Sequence, residues 1–127
     1  MLVAPGGKHL KVVRSGSGAL ARLRAAVVGP DPSDGRRYCP SVDQLFESAA
    51  EAMGDRVCAV VLTGMGSDGR DGIARVKEAG GLALAESAET AVVFGMPKQA
   101  VGTGKVDEVL SLEDIAIRLR RFAEQKP

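Results

Sequence analysis

The sequence has no tryptophan, one tyrosine, three phenylalanines, one histidine and two cysteines among its 127 residues. Each shortage removes a class of function. With a single imidazole and no C-x-x-C pair, a Cys/His zinc site lacks the ligands it needs, and no metal or cofactor is called for. Seventeen basic residues stand against sixteen acidic ones, for a net charge of +1. Such a balance gives no field to hold a polyanion, and so few aromatic rings give little for bases to stack on, so nucleic acid is not an expected partner. No apolar stretch approaches the ~18 to 20 residues of a membrane span. The opening Met1-Leu2-Val3-Ala4-Pro5 is too short for a signal peptide and lacks its basic start. These absences together predict a soluble, cytoplasmic protein with reduced thiols: Cys58 inside an apolar run as a core residue, Cys39 before Pro40 in a loop. The basic trio Arg118, Arg120 and Arg121 falls near the end of a predicted helix, where cations offset the helix dipole.

What is present fits one α/β domain of ordinary size. Leu2-Val3-Ala4, Leu10 to Val13 and roughly Leu20 to Val28 read as short strands separated by Pro5-Gly6-Gly7 and Ser15-Gly16-Ser17-Gly18 turns. A surface loop rich in Gly, Pro, Asp and Ser covers 29–40. Ser41 and Gln44 have the spacing of a capping box, and Val42, Leu45, Phe46, Ala49, Ala50 and Met53 follow one helical face up to Gly54. Val57 to Leu62 is a continuous apolar run, the pattern of a strand buried on both faces of a parallel sheet. A helix marked by Ile73, Val76 and Ala79 ends at Gly80-Gly81, and Leu82 to Ala85 forms the next strand, which makes the pair parallel with a helical crossover. After the apolar run Val92-Val93-Phe94, a helix starts at Pro97. Val106 to Leu110 forms a last strand. Ser111 opens a closing helix that carries Leu112, Ile115, Leu119 and Phe122. The fold class is α/β, doubly wound, with a mostly parallel sheet.

The segment Thr63-Gly64-Met65-Gly66-Ser67-Asp68-Gly69 stands at the carboxyl end of a strand, where such sheets bind ligands. Its residues allow three readings. Gly64, Gly66 and Gly69 match G-x-G-x-x-G, and Glu86 ends the next strand about where a ribose-binding acid belongs, so a dinucleotide site is one. Against it, Asp68 sets a carboxylate where a pyrophosphate would lie. The second is a tight strand-to-helix turn with Asp68 as the cap of the helix that follows. In the third, Asp68 is the acid of a hydrolytic triad, fixing a histidine in one tautomer and stabilising the imidazolium.

Four collinear motifs favour the third. Leu62 to Gly69 resembles the L-T-G-M-G-x-D-G segment of CheB-type protein-glutamate methylesterases of bacterial chemotaxis. Ala4-Pro5-Gly6-Gly7-Lys8-His9 is similar to that family's A-P-G-x-x-H. Pro40 to Phe46 resembles R-P-S-V-D-x-L-F, with Cys39 in place of the arginine, and Val92 to Lys98 resembles V-V-F-G-M-P-K/R.

The resemblance implies a doubly wound catalytic domain that hydrolyses glutamyl methyl esters on methyl-accepting chemotaxis receptors through a Ser-His-Asp mechanism, often under a response-regulator receiver domain. Carried over by motif, Asp68 is the catalytic acid, and Thr63, Gly64, Met65, Gly66 and Gly69 form the active-site loop. Met65 serves there either through its amide, toward an oxyanion, or through its side chain, as a pocket wall. His9 is a site-lining candidate beside its plainer reading as a surface loop residue. Asp43 either favours its helix dipole or takes part in loop or receptor contact.

The family carries its nucleophile in a G-A-S-T-G-G-type segment and its base in a Q-H segment, both upstream of the A-P-G motif. No G-x-S-x-G occurs among these 127 residues. The expectation is one partial catalytic domain over 1–127, with no receiver domain in it, inactive alone and dependent on a serine and histidine from a preceding segment or a partner chain. Two other expectations remain: a degenerate, non-catalytic module that binds receptors or a partner chain, and the dinucleotide domain.

Overall fold

Burial on both faces is the property that organises the centre of the molecule. In the computed structural model, which describes residues 1–35 and 38–125, strand β4 (Leu82–Glu86) lies between β3 (Cys58–Val61) and β5 (Glu108–Leu110), parallel to both. Ala83, Leu84 and Ala85 are completely buried although successive side chains point to opposite faces, so both faces of β4 are covered. Ala83 joins a core with Phe46, Ala59, Val61, Ile73 and Val76, whereas Leu84 and Ile115 of the last helix are buried outside that cluster. The doubly wound arrangement follows from this alternation.

Helix α1 (Val42–Met53) turns all six residues of its predicted apolar face toward the core, and Gly54 closes it at φ +60°. Helix α2 (Arg70–Glu78) makes the crossover from β3 to β4 and stops before Gly80, whose φ is +87°. Helix α3 (Met96–Val101) has Pro97 in its first turn. Helix α4 (Leu112–Gln125) begins after Ser111, whose hydroxyl accepts the Asp114 amide at 3.3 Å. None of these helices is long and apolar enough to cross a membrane.

Two expectations for the first third change. Residues 10–13 and 22–28 do form strands, β1 (His9–Ser15) and β2 (Arg22–Val28), with Leu20 in a short 3-10 turn before the second, but as a separate antiparallel hairpin that packs on α1. Leu2-Val3-Ala4 forms no strand: it pairs with none of the described residues, and Leu2 and Val3 are exposed, because an apolar triplet without a ladder partner gains nothing from extension. Of the 29–40 loop, Arg36 and Arg37 lie outside the described residues.

Candidate functional site

The β3-to-α2 turn is tied down by hydrogen bonds before it reaches Asp68. The Thr63 amide donates to Glu86 Oε1 at 2.8 Å, and the Thr63 hydroxyl accepts the Val93 amide at 2.8 Å. The Gly64 amide donates to the Val93 carbonyl at 3.1 Å, while the Gly64 carbonyl accepts the Met96 amide at 2.8 Å. Val92-Val93-Phe94 therefore acts as a brace, joined to the turn by one parallel bridge between Gly64 and Phe94, and not as a strand.

The glycines answer to packing. A Cβ on Gly64 would stand 2.5 Å from Met96 Sδ. Gly66, at φ +99°, would bring one to 2.6 Å from the Tyr38 hydroxyl, and Gly69, at φ +97°, would press on Val42 and Val61. Met96 and Tyr38 thus occupy the places where side chains on Gly64 and Gly66 would stand. Glu86, the ribose-acid candidate, is buried and binds the Thr63 amide and the Thr90 hydroxyl, the latter at 2.8 Å. The glycine pattern is thus a turn braced by side chains. Met65 extends its side chain outward, 80% exposed.

Asp68 is 7% exposed and does not cap its own helix; Gly69 takes that position without a side-chain bond. Its carboxylate instead crosses to α1, where Oδ2 accepts the Val42 amide at 2.8 Å and Oδ1 accepts the Asp43 amide at 3.0 Å and the Ser41 hydroxyl at 3.3 Å. The first amides of a helix have no partner within the helix and favour a carboxylate. An ionised carboxylate offers about four lone-pair sites, two on each oxygen. Three are engaged by the described residues, which leaves one on Oδ2 for a further donor.

Asp43 does the converse. Its Oδ1 accepts the Gly69 amide at 3.0 Å and the Gly72 amide at 2.7 Å, at the start of α2. Of the two readings of Asp43, the loop contact is the one found here, although a partner 26 residues away leaves no local signature in the sequence. Burial pushes the Asp43 carboxyl above its ordinary value of 3.8, the charge of Asp68 adds to the rise, and the two amides pull the other way. A carboxyl raised in the folded state supports folding below its unfolded value, and that support is lost as pH climbs through the folded value. Asp43→Asn keeps the accepting oxygen and removes the charge. It should melt above the parent at pH 7, with the gap closing as pH falls through the raised folded value toward 3.8; a variant that melts lower at pH 7 would contradict this balance.

His9 is buried, in place of the surface position expected of a loop histidine, and stands one residue removed from Asp68. Its Nδ1 accepts the Ser41 amide at 3.1 Å, so a neutral ring carries its proton on Nε2 and makes no hydrogen bond with the Gln44 amide nitrogen, itself a donor, 3.3 Å away. The Gln44 side-chain amide donates to Asp34. Gln44 therefore turns to Asp34, and the capping box is half formed: the Ser41 hydroxyl still accepts the Gln44 backbone amide at 3.3 Å. Behind it, an open depression of about 610 Å³ is lined by His9, Asp34, Gln44 and Glu47 and by none of residues 63–69. The structure brings Asp68, Ser41 and Asp43 together and leaves His9 a neighbour of the cap, without a bond to Asp68. Cys39 and Cys58 are both free, and burial pushes the Cys58 thiol up to about 11, which keeps it protonated and inert.

Comparison with known proteins supplies the context for this arrangement. The family model for the CheB methylesterase matches residues 1–119. Protein-glutamate methylesterase/protein-glutamine glutaminase 6 of Anaeromyxobacter dehalogenans is 59% identical over 96% of this chain and 34% of its own length. The enzyme numbered 3 of Geobacter sulfurreducens, with the same description, is 51% identical over 89% of this chain and 29% of its own. The crystal structure of the Thermotoga maritima CheB methylesterase catalytic domain superposes with a TM-score of 0.77 at 37% identity, covering 91% of this chain and 58% of that one. The chain spans about a third of the length of the curated relatives it matches.

Proposed function

The chain belongs to the CheB methylesterase family, and on that premise we propose that it forms the acid-bearing part of a protein-glutamate methylesterase, with Asp68 the third member of a Ser-His-Asp triad. The observation that carries this reading is the Asp68 carboxylate itself. It is held by three donors at the carboxyl end of β3, with one lone pair on Oδ2 left to accept an imidazole N–H. The serine and histidine come from outside these 127 residues, in a preceding segment or a partner chain.

The chemistry proceeds in two balanced steps. The serine oxygen attacks the glutamyl ester carbonyl while the histidine takes its proton. Asp68 holds the ring in the tautomer that can take it and stabilises the imidazolium that forms. Methanol leaves with that proton, and an acyl-serine remains. Water, deprotonated by the same histidine, then frees the glutamate and restores the serine. A glutamine side chain would follow the same course with ammonia as leaving group, which accommodates the second activity named in the relatives. The substrates of this reading are glutamyl esters on methyl-accepting chemotaxis receptors, and a response-regulator receiver domain is the regulatory partner it implies.

A protein that joins this chain to its serine- and histidine-bearing segment should release methanol from methyl-esterified receptor fragments, whereas the 127 residues alone should bind such fragments at most. Methanol release by the 127 residues alone, or none from the joined protein, would contradict the assignment. Receptor binding by a joined protein that hydrolyses nothing would favour the non-catalytic module.

A further inference from the structure

We propose that Asp43 is a positioning residue for Asp68, through a reciprocal cap in which each aspartate binds the amide end of the helix that follows the other. This rests on Asp68 being the triad acid. Asp68 leads into α2 and binds the Val42 and Asp43 amides of α1; Asp43 lies in the first turn of α1 and binds the Gly69 and Gly72 amides of α2. The two carboxylates thus close a loop of four backbone hydrogen bonds between segments 25 to 29 residues apart in sequence.

The geometry leaves the two helix ends little independent play. A Cβ on Gly72 would stand 2.7 Å from Phe46 Cβ and 3.2 Å from Asp43 Cα, so α2 approaches α1 as closely as a residue without a side chain permits. Gly69, at φ +97°, is packed against Val42 and Val61. With the helix ends in contact, the oxygen of Asp43 decides where the first turn of α2 sits. That turn begins two residues after Asp68 and so decides where the Asp68 carboxylate reaches α1. An acid that must meet an imidazole within a fraction of an ångström gains from being fixed at both its backbone and its carboxylate. Asp43 touches neither substrate nor imidazole in this scheme; it acts through Asp68.

Amide hydrogen exchange on the isotope-labelled 127-residue chain separates this role from general stabilisation. Asp43→Ala removes the acceptor for Gly69 and Gly72. The reciprocal cap predicts that Val42 and Asp43, whose own acceptor is Asp68, also exchange faster, by about tenfold or more, while sheet amides such as Leu84 and Ala85 change little. Asp43→Asn, which keeps the accepting oxygen, should leave all four rates near those of the parent. If Asp43→Ala gives no folded spectrum, Asp43→Glu serves the same comparison with an acceptor displaced by one methylene. Acceleration confined to Gly69 and Gly72 would overturn the proposal, as would uniform acceleration of every amide. In the protein carrying the serine and histidine, Asp43→Ala should lower kcat at unchanged KM, with Asp43→Asn restoring it. The exchange result does not depend on ester hydrolysis. An Asp68→Asn enzyme of full activity would therefore remove the triad reading and leave the coupling of the two helix ends to be judged by exchange alone.

Discussion

Asp68→Asn, in the protein that carries the serine and histidine, should lower kcat for glutamyl methyl ester hydrolysis by about four orders of magnitude with KM little changed. That is the scale found when the acid of a Ser-His-Asp triad becomes an amide, because the ring is then held in the wrong tautomer and its positive charge is left without a counter-ion. The residual rate should still exceed that of water, since oxyanion donors and substrate binding survive. The substitution also touches the α1 cap. The amide nitrogen of Asn cannot accept, so either Val42 or Asp43 loses its partner. The assay therefore belongs well below the melting temperature of the variant, with folding checked in the same sample. A drop of tenfold or less in a folded variant would place the acid elsewhere.

Asp68→Ala in the 127-residue chain should lower the unfolding free energy by roughly 3 kcal/mol. Removing a side-chain cap costs about 1 kcal/mol, bonds to a charged acceptor about 1.5 to 3, and each buried donor left without a partner adds to this. Here the amides of Val42 and Asp43 and the Ser41 hydroxyl lose their acceptor at once. Helix α1 also joins the β1–β2 hairpin to α2, so loosening its first turn loosens both neighbours. For a chain of this length the change corresponds to a fall in Tm of roughly 10 °C. Arg75→Ala, which breaks an exposed 3.1 Å pair with Glu78, is a suitable control and should cost less than ~1 kcal/mol. A Tm for Asp68→Ala no lower than that of the control would show that the cross-cap carries no energy.

These two predictions concern one carboxylate, and the sequence disclosed only half of its work. The apolar face of α1 was legible from Val42 to Met53 because a helix repeats its contacts every three or four residues. The parallel pairing of β3 and β4 was legible because a strand covered on both faces must be apolar throughout. The turn at Thr63 to Gly69 was legible as a site from its place at a strand end and its likeness to a family motif.

The acceptors were not legible. A cap is read from neighbours one to three residues away, yet Asp68 caps a helix 25 to 27 residues upstream and Asp43 caps one 26 to 29 residues downstream. For the same reason the ribose reading of Glu86 misses that its oxygens hold Thr63 and Thr90, and the surface reading of His9 misses that the Ser41 amide claims its ring. The Leu2-Val3-Ala4 strand failed for the complementary reason, since an extended segment is specified by the strand beside it. In each case the deciding partner is remote in sequence. The P-S-V-D segment does contain a readable hint: its serine and aspartate both fall at the start of α1, where polar side chains meet amides without partners.

The contact on which the account depends lies between the Asp68 carboxylate and an imidazole N–H, and proton NMR of the serine- and histidine-bearing protein observes it most directly. A strongly deshielded imidazole N–H resonance should be present in the parent, disappear in Asp68→Asn and persist in Asp43→Asn. An active enzyme that keeps this resonance after Asp68→Asn would contradict that contact.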